Sequence, residues 1–443
     1  MRCYSAHAVL VAAFGFVAGG CGLVAGLGAP KVLEDPGAEG VDDGGGSTQA
    51  VRIAVGQTHA CAIVQVGPGS PENGTVRCWG SNGEGELGTD PTALALSLEP
   101  RPVDTGDAST TTATGLALGA ESSCAITTDG YLQCWGDVPG ESTTGVHRED
   151  GEGARPYEAT TMYIGTVPLV SVTTASVGLT GGCAIADSHL VCWGDTEYAP
   201  GSAVDAGLGG LDGGVVIGDD TFTSAAVGTS HVCAIATRSG VTDVECWGGN
   251  EYGQTGVSED ENPGTVTRPT PVGLATLGEG IRQVAVGGDE SCALLANGAV
   301  YCWGRNNRGQ VGNPAAGSST SVAMQVVFPA GEGIGTPQEL AVAESHVCTV
   351  TDATTVWCWG DNSAGQLGTG STSPPFSVTP TQVQKRVGSL PTIQGVTHIA
   401  AGGETSCAIR VNDARVWCWG ANDSGQVGQA PSRAVAYATP VAW

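Results

Sequence analysis

The sequence predicts an all-β protein assembled from seven copies of one antiparallel hairpin unit, and three regularities carry that expectation. Cysteines fall into seven pairs, Cys61 with Cys78, Cys124 with Cys134, Cys183 with Cys192, Cys233 with Cys246, Cys292 with Cys302, Cys348 with Cys358 and Cys407 with Cys418, and each second member opens a Cys-Trp-Gly tripeptide. Successive first cysteines are 63, 59, 50, 59, 56 and 59 residues apart, a period of one supersecondary unit. Turn dipeptides such as Asp129-Gly130 and Asn297-Gly298 sit between runs rich in β-branched and aromatic residues.

In chain order, residues 1–20 read as an export signal. Arg2 precedes the apolar run Ala8 to Val17, which is too short to be a permanent membrane span. Ala18-Gly19-Gly20-Cys21 follows and resembles a bacterial lipoprotein signal, which makes Cys21 the expected site of acylation; a plain secretion signal is the alternative. Cysteine arithmetic favours the anchor. With Cys3 removed and Cys21 acylated, fourteen cysteines remain in seven pairs. Residues 21–50, rich in Gly, Ala, Asp and Pro, are expected to form a flexible linker, and residues 51–443 the repeat domain.

Within a unit, Ser123 to Thr127 runs out and Tyr131 to Trp135 returns. Cys124 and Cys134 are symmetric about Asp129, so the connection has an odd number of residues, as in a type I turn closed by a glycine bulge. The two cysteines then face each other at a cross-strand site, where Cα atoms approach to about 4.5 Å, within reach of a disulfide. Three readings compete for these cysteines. Zinc knuckles need close Cys-x-x-Cys spacing, which no pair has. Reduced core thiols suit a cytosolic chain. An export signal favours the third reading, disulfides that staple each unit internally.

Before the first cysteine, apolar alternations end in Gly, as in Ile53-Ala54-Val55-Gly56 and Val284-Ala285-Val286-Gly287. After Cys-Trp-Gly come Asn82 to Gly88, Asn250 to Gly256, Asn306 to Gly312, Asn362 to Gly368 and Asn422 to Gly428, whose Asn and Gly spacing marks positive φ or close backbone approach. These strings resemble the repeats of the regulator of chromosome condensation family, over about residues 51 to 443. The resemblance implies a seven-bladed β-propeller with one hairpin disulfide per blade. Its second and third copies are degraded at Asp137 to Gly140 and Asp195 to Tyr198. The tail Ala438 to Trp443 repeats internal Pro-x-Val segments and is expected to join the blade begun by Val51 to Val66, sealing the ring.

Chemistry is harder to find. The chain has no Gly-x-Ser-x-Gly elbow, His-Glu-x-x-His helix or phosphate-binding loop, so no catalytic, cofactor or metal residue is assigned. His59, His231 and His346 share one position and are read as structural. The Trp residues of Cys-Trp-Gly are expected between blades, with Trp357 and Trp417 as the better surface candidates. A polar insertion from Glu141 to Glu158 offers His147, Arg148, Glu149 and Asp150 as a candidate binding loop, and Asp212 to Asp220 poses the same choice, with calcium as a weaker third option.

Charge narrows the partners. With 44 acidic against 17 basic residues the net charge is −27, which repels nucleic acid and anionic headgroups. The sequence is therefore read as an exported monomer at the cell envelope, held to the membrane only by its lipid, non-enzymatic, without cofactor, and binding a protein. Two alternatives stand beside it: an extracellular hydrolase or lyase using loop carboxylates on polysaccharide or peptide, and a structural envelope protein.

Overall fold

The computed structural model describes residues 48–70, 72–103, 112–139, 146–148, 155–164, 167–194, 215–216, 221–260, 262, 264–331, 334–385 and 392–443. They form a seven-bladed β-propeller in which every blade is one antiparallel sheet made from one contiguous stretch of chain. Blade 1 consists of Gln49–Val55, His59–Gln65, Thr75–Ser81 and Leu96–Pro102, from the inside of the ring outward. Its first strand starts two residues earlier than the expected boundary, because Ala50 pairs with Val64 and is buried.

The second and third strands form the hairpin foreseen from sequence. In blade 2, Thr127 N–H donates to the Tyr131 carbonyl and Gly130 N–H to the Thr127 carbonyl, with Gly130 at φ 86°, which is the three-residue turn with a glycine bulge. All seven expected cysteine pairs occupy the same cross-strand site, with Cα atoms 4.1 Å apart and sulfurs 2.05 to 2.12 Å apart. Ladder register places Cys61 opposite Cys78, Cys124 opposite Cys134 and Cys183 opposite Cys192 in blades 1 to 3. Cys233 faces Cys246, Cys292 faces Cys302, Cys348 faces Cys358 and Cys407 faces Cys418 in blades 4 to 7. Each disulfide is internal to its blade.

Cys-Trp-Gly has a backbone role as well. The ladder from third to fourth strand slips between the cysteine and the glycine, as between Cys78 and Gly80, and Gly80 adopts φ 106°. A Cβ there would lie 2.6 Å from the Thr58 carbonyl oxygen, so both space and backbone angle select glycine. The bulge turns the tryptophan away from its own sheet. Trp79, Trp135, Trp193, Trp247, Trp303, Trp359 and Trp419 are all fully buried, and the apolar core is divided into seven clusters, one at each seam between neighbouring blades.

Ring closure differs from the sequence expectation. The fourth strand of blade 7, Ser432–Pro440, pairs with Val416–Asn422 of its own blade, Cys418 opposite Thr439, and not with blade 1. The physical reason is visible in the other blades, where the matching segments also complete their own sheet, as Cys246 opposite Thr270 does. Blade 7 meets blade 1 through side chains. Trp79 Nε1–H donates to the Gln426 carbonyl at 2.9 Å, and the Trp443 ring lies edge-on to Trp79 at 6.3 Å. Phe328 makes the same contact with Trp359 at the seam between blades 5 and 6, at 6.2 Å. The closing seam is thus built like an internal one.

Blades 2 and 3 depart from the common plan, as their degraded motifs suggest. Blade 2 uses Thr160–Ile164 as its outer strand and adds Val146–Arg148 and Val167–Pro168 beside it, whereas blade 3 closes with the two-residue strand Val215–Val216.

Gly402 tests the closure. A Cβ on this residue would stand 2.2 Å from the Val55 carbonyl oxygen of blade 1. Gly402→Ala is expected to cost about 1–3 kcal/mol by overpacking. Thermal melting that matches the wild type would show that blades 7 and 1 are not in this contact.

Candidate functional site

The first strand of every blade ends at the ring axis on a small residue: Gly56, Gly119, Gly178, Gly228, Gly287, Ala343 and Gly402. These lie so close that a Cβ on Gly178 or Gly228 would meet the carbonyl oxygen of the next blade's glycine at 2.4 Å. They line a cavity of about 260 Å³ to which all seven blades contribute, with Gln57, Leu179, Thr229 and Glu344 among its side chains. Glu344 is the single carboxylate among the described residues that line it.

The chain then turns into the second strand, and the carboxylates gather on this side of the ring. Glu121 follows Gly119-Ala120, Asp289 follows Gly287-Gly288, Glu344 follows Ala343, and Glu404 follows Gly402-Gly403. Partial burial raises the Glu121 carboxyl above its usual range, and Glu84, Asp137 and Glu86 push it further. Burial likewise raises Glu404, with Asp361, Glu344 and Asp423 adding repulsion and Arg433 opposing it. Burial lifts Asp289 too, against the nearby Arg305 guanidinium, which reaches it at 3.3 Å and stacks over Tyr252 at 5.0 Å.

Glu290 is the outlier. It occupies the position held by His59, His231 and His346, is fully buried, and has no side-chain hydrogen-bond partner for its carboxylate. The three histidines each reach across a seam to a serine of the next blade: His59 to Ser123 at 2.7 Å, His231 to Ser291 at 2.8 Å and His346 to Ser406 at 2.7 Å. Across from Glu290 the corresponding residue is Val347, which offers nothing to bond. Burial therefore holds the Glu290 carboxyl well above its ordinary value, with the charges of Asp289 and Glu344 acting in the same direction and the Asp289 backbone N–H and the Arg305 guanidinium acting against it.

The histidines read as structural are thus ties between blades. Burial depresses His231 and His346 to about 3; it depresses His59 to about 4, where Glu86 partly opposes it. They sit in three separate seams, and among the described residues no group of three His, Cys, Asp or Glu side chains is placed to hold a metal ion.

The loops after Cys-Trp-Gly hold this face in place. Asn82 Oδ1 accepts the Leu87 N–H at 2.8 Å while its amide donates to the carbonyls of Thr89 and Leu94. Asn362 and Asn422 repeat the pattern with Leu367 and Val427. The recurring asparagines are therefore loop staples.

Other sequence candidates fare differently. Val146–Arg148, with His147 and Arg148, is a strand on Thr160–Ile164 where a loop was expected, because its backbone finds a free edge there; Glu149 and Asp150 lie outside the described residues. So do Cys21, the export signal and nearly all of 212–220. Trp417, expected at the surface, is buried between blades 6 and 7, its Nε1–H donating to Asp413 and its ring covered by Arg410 at 4.8 Å. Trp357 is half-buried and donates to Thr355. The acidic face went unnoticed in the sequence. Aligning the residues that follow each inner glycine would have exposed it.

Comparison with known proteins agrees with this architecture. Two models, both described as Regulator of chromosome condensation (RCC1) repeat, match residues 281–310 and 396–426, and residues 297–352 and 355–409. The probable E3 ubiquitin-protein ligase HERC4 of Homo sapiens is 30% identical over 220 residues, which cover 48% of this chain and 18% of HERC4. The chain thus spans less than a fifth of that relative. Human WBSCR16 superposes with a TM-score of 0.64 at 19% identity, covering 82% of this chain and 94% of its own. Prp20p of Saccharomyces cerevisiae, described with its binding to Gsp1p and histones, gives 0.63 at 17%, covering 83% and 86%. At such identities the superpositions speak for the fold.

Two substitutions test the site's electrostatics. A buried acid whose folded-state pKa is raised weakens the fold above its unfolded value of about 4.5 and not below it. Glu290→Met should therefore stabilise the protein at pH 7 by about 1–3 kcal/mol, read as a higher melting temperature, with the gain vanishing towards pH 4. An equal gain at both pH values would refute the assignment. Ser406→Ala, which strands His346, should cost about 1–3 kcal/mol at pH 7 in denaturant titration.

Proposed function

We propose that this propeller of regulator of chromosome condensation repeats is an exported, non-enzymatic binding protein, anchored by a lipid on Cys21, that holds a protein partner against one face of its ring. The observation that carries the reading is the cysteine arrangement. All fourteen cysteines from Cys61 to Cys418 are spent in pairs inside blades, a pattern suited to an oxidising compartment. Residues 1–21 supply the export and acylation pattern.

Binding is favoured over hydrolysis by what stands at the axis. A glycosidase-like mechanism needs two carboxyls facing one scissile bond, whereas the described cavity wall carries Glu344 alone. The rest of the face supports recognition: loops pinned by buried asparagines, with Tyr252 and Arg305 stacked between carboxylates. Prp20p, of similar fold, is described as binding Gsp1p and histones. A protein ligand for the present chain follows that precedent in kind, not in identity.

Expression in a lipoprotein-processing bacterial host provides the test. The full chain should appear in the membrane fraction with an acylated Cys21 N-terminus and seven disulfides by mass analysis, and Cys21→Ser should release it. Cross-linking on intact cells should then yield a defined protein adduct. Free thiols in the mature protein, or an unprocessed N-terminus, would overturn the reading.

A further inference from the structure

We infer that the closing seam of the ring carries a proton-sensitive latch, in which Arg52 of blade 1 is held by the imidazole of His398 in blade 7 while that imidazole is neutral and is released when it takes up a proton. The inference stands apart from the protein-binding reading above.

The closing seam lacks a device that three other seams possess. Where His59, His231 and His346 reach a serine of the next blade, blade 7 has Thr405, whose hydroxyl donates to the Ala421 carbonyl of its own blade at 2.9 Å. The serine place across the seam is taken by Ala60. A histidine link is found instead between first strands. Arg52 Nη1 lies 3.2 Å from His398 Nε2, and His398 Nδ1 lies 3.2 Å from Glu339 Oε2 of blade 6. Blades 6, 7 and 1 are thereby joined in one polar row.

Donor chemistry fixes where the proton sits. Arginine offers only N–H groups, and Arg52 Nη1 also donates to the Val51 carbonyl at 2.9 Å. His398 Nε2 must therefore present its lone pair to Arg52, which leaves the single proton of the neutral ring on Nδ1, donated to Glu339. A second proton can enter only at Nε2. It would set N–H against N–H and positive charge against positive charge, so Arg52 leaves, while the bond from His398 to Glu339 becomes charge-assisted. Acid thus frees blade 1 from this link to blade 7 and tightens blade 7 on blade 6.

The site is open to that proton. The side chains of His398 and Glu339 are 31% and 34% exposed, whereas the histidines tied to serines are fully buried and depressed to about 3 or 4. Other charged or titratable groups on the strands packed against the first strand of blade 7 are engaged elsewhere. Arg410 is turned to the Gln394 carbonyl and to Asp413, and His346 to Ser406.

Calorimetry on the full chain at pH 8 and pH 5 tests the latch, in a window where the buried histidines stay neutral. Arg52 is exposed, so its replacement leaves the core intact. Arg52→Met is expected to lower the melting temperature by about 1–2 °C at pH 8, and to leave it unchanged or raise it at pH 5. Glutamine offers both an acceptor and a donor but does not titrate. In a His398→Gln background Arg52→Met should therefore cost the same at the two pH values. Nitrogen NMR of the histidine-labelled protein should show His398 protonated on Nδ1 at pH 8. An equal loss at both pH values without His398→Gln, no loss at pH 8, a pH dependence that survives His398→Gln, or a proton on Nε2 at pH 8 would each overturn the latch.

Discussion

The tryptophan of each Cys-Trp-Gly, driven into the seam between two blades, is the contact on which the ring depends. Its indole supplies a large apolar surface, and its N–H finds a backbone carbonyl in the preceding blade: Glu86 for Trp135, Gln254 for Trp303, Gln310 for Trp359, Gln366 for Trp419 and Gln426 for Trp79. The carbonyl is available because a buried asparagine holds the loop that carries it. Turn chemistry in one blade is in this way coupled to core packing in the next. The last such bond runs from blade 1 back to blade 7, so the ring closes by repeating its own seam.

The exceptions show where that logic is relaxed. At the seam between blades 2 and 3, Trp193 Nε1 and Ser122 Oγ are buried without partners, and Gly182 replaces the serine that would receive a tie. The Trp193 ring fills the space instead, 2.4 Å from where a Cβ on Gly182 would stand. At the seam between blades 5 and 6 the tie is lost differently, to Glu290 facing Val347. The first departure follows degraded loop motifs. The second lies in a blade whose motifs are intact, and blade 7 is like it, since Thr405 turns its hydroxyl to the Ala421 carbonyl of its own blade.

Much of this architecture was legible in the sequence. The hairpins, their turn type, the pairing of Cys124 with Cys134 and the burial of the Cys-Trp-Gly tryptophans all follow from spacing within a dozen residues, where chain connectivity leaves few alternatives. The same holds for Cys183 with Cys192, Cys292 with Cys302 and Cys348 with Cys358, which are only 9 or 10 positions apart. The closure was misjudged because Ala438 to Trp443 repeats segments whose pairing partner lies in their own blade, and a short string of residues does not say which edge it meets. Trp417 was misplaced for a similar reason. Alternation puts it on the opposite side of its strand from Trp419, but in a propeller both sides of a sheet face a neighbour.

Sequence alone therefore determined the repeat, the staples and the net charge, because each is a property of local spacing or of a sum over residues. Tertiary structure decided which residues act together. Glu344 repels both Glu290, 54 positions before it, and Glu404, 60 positions after it, only because radial packing brings the turns between the first and second strands of successive blades together. Whether a carboxylate is solvated or stranded depends on what the next blade presents to it, and that neighbour is set by the ring.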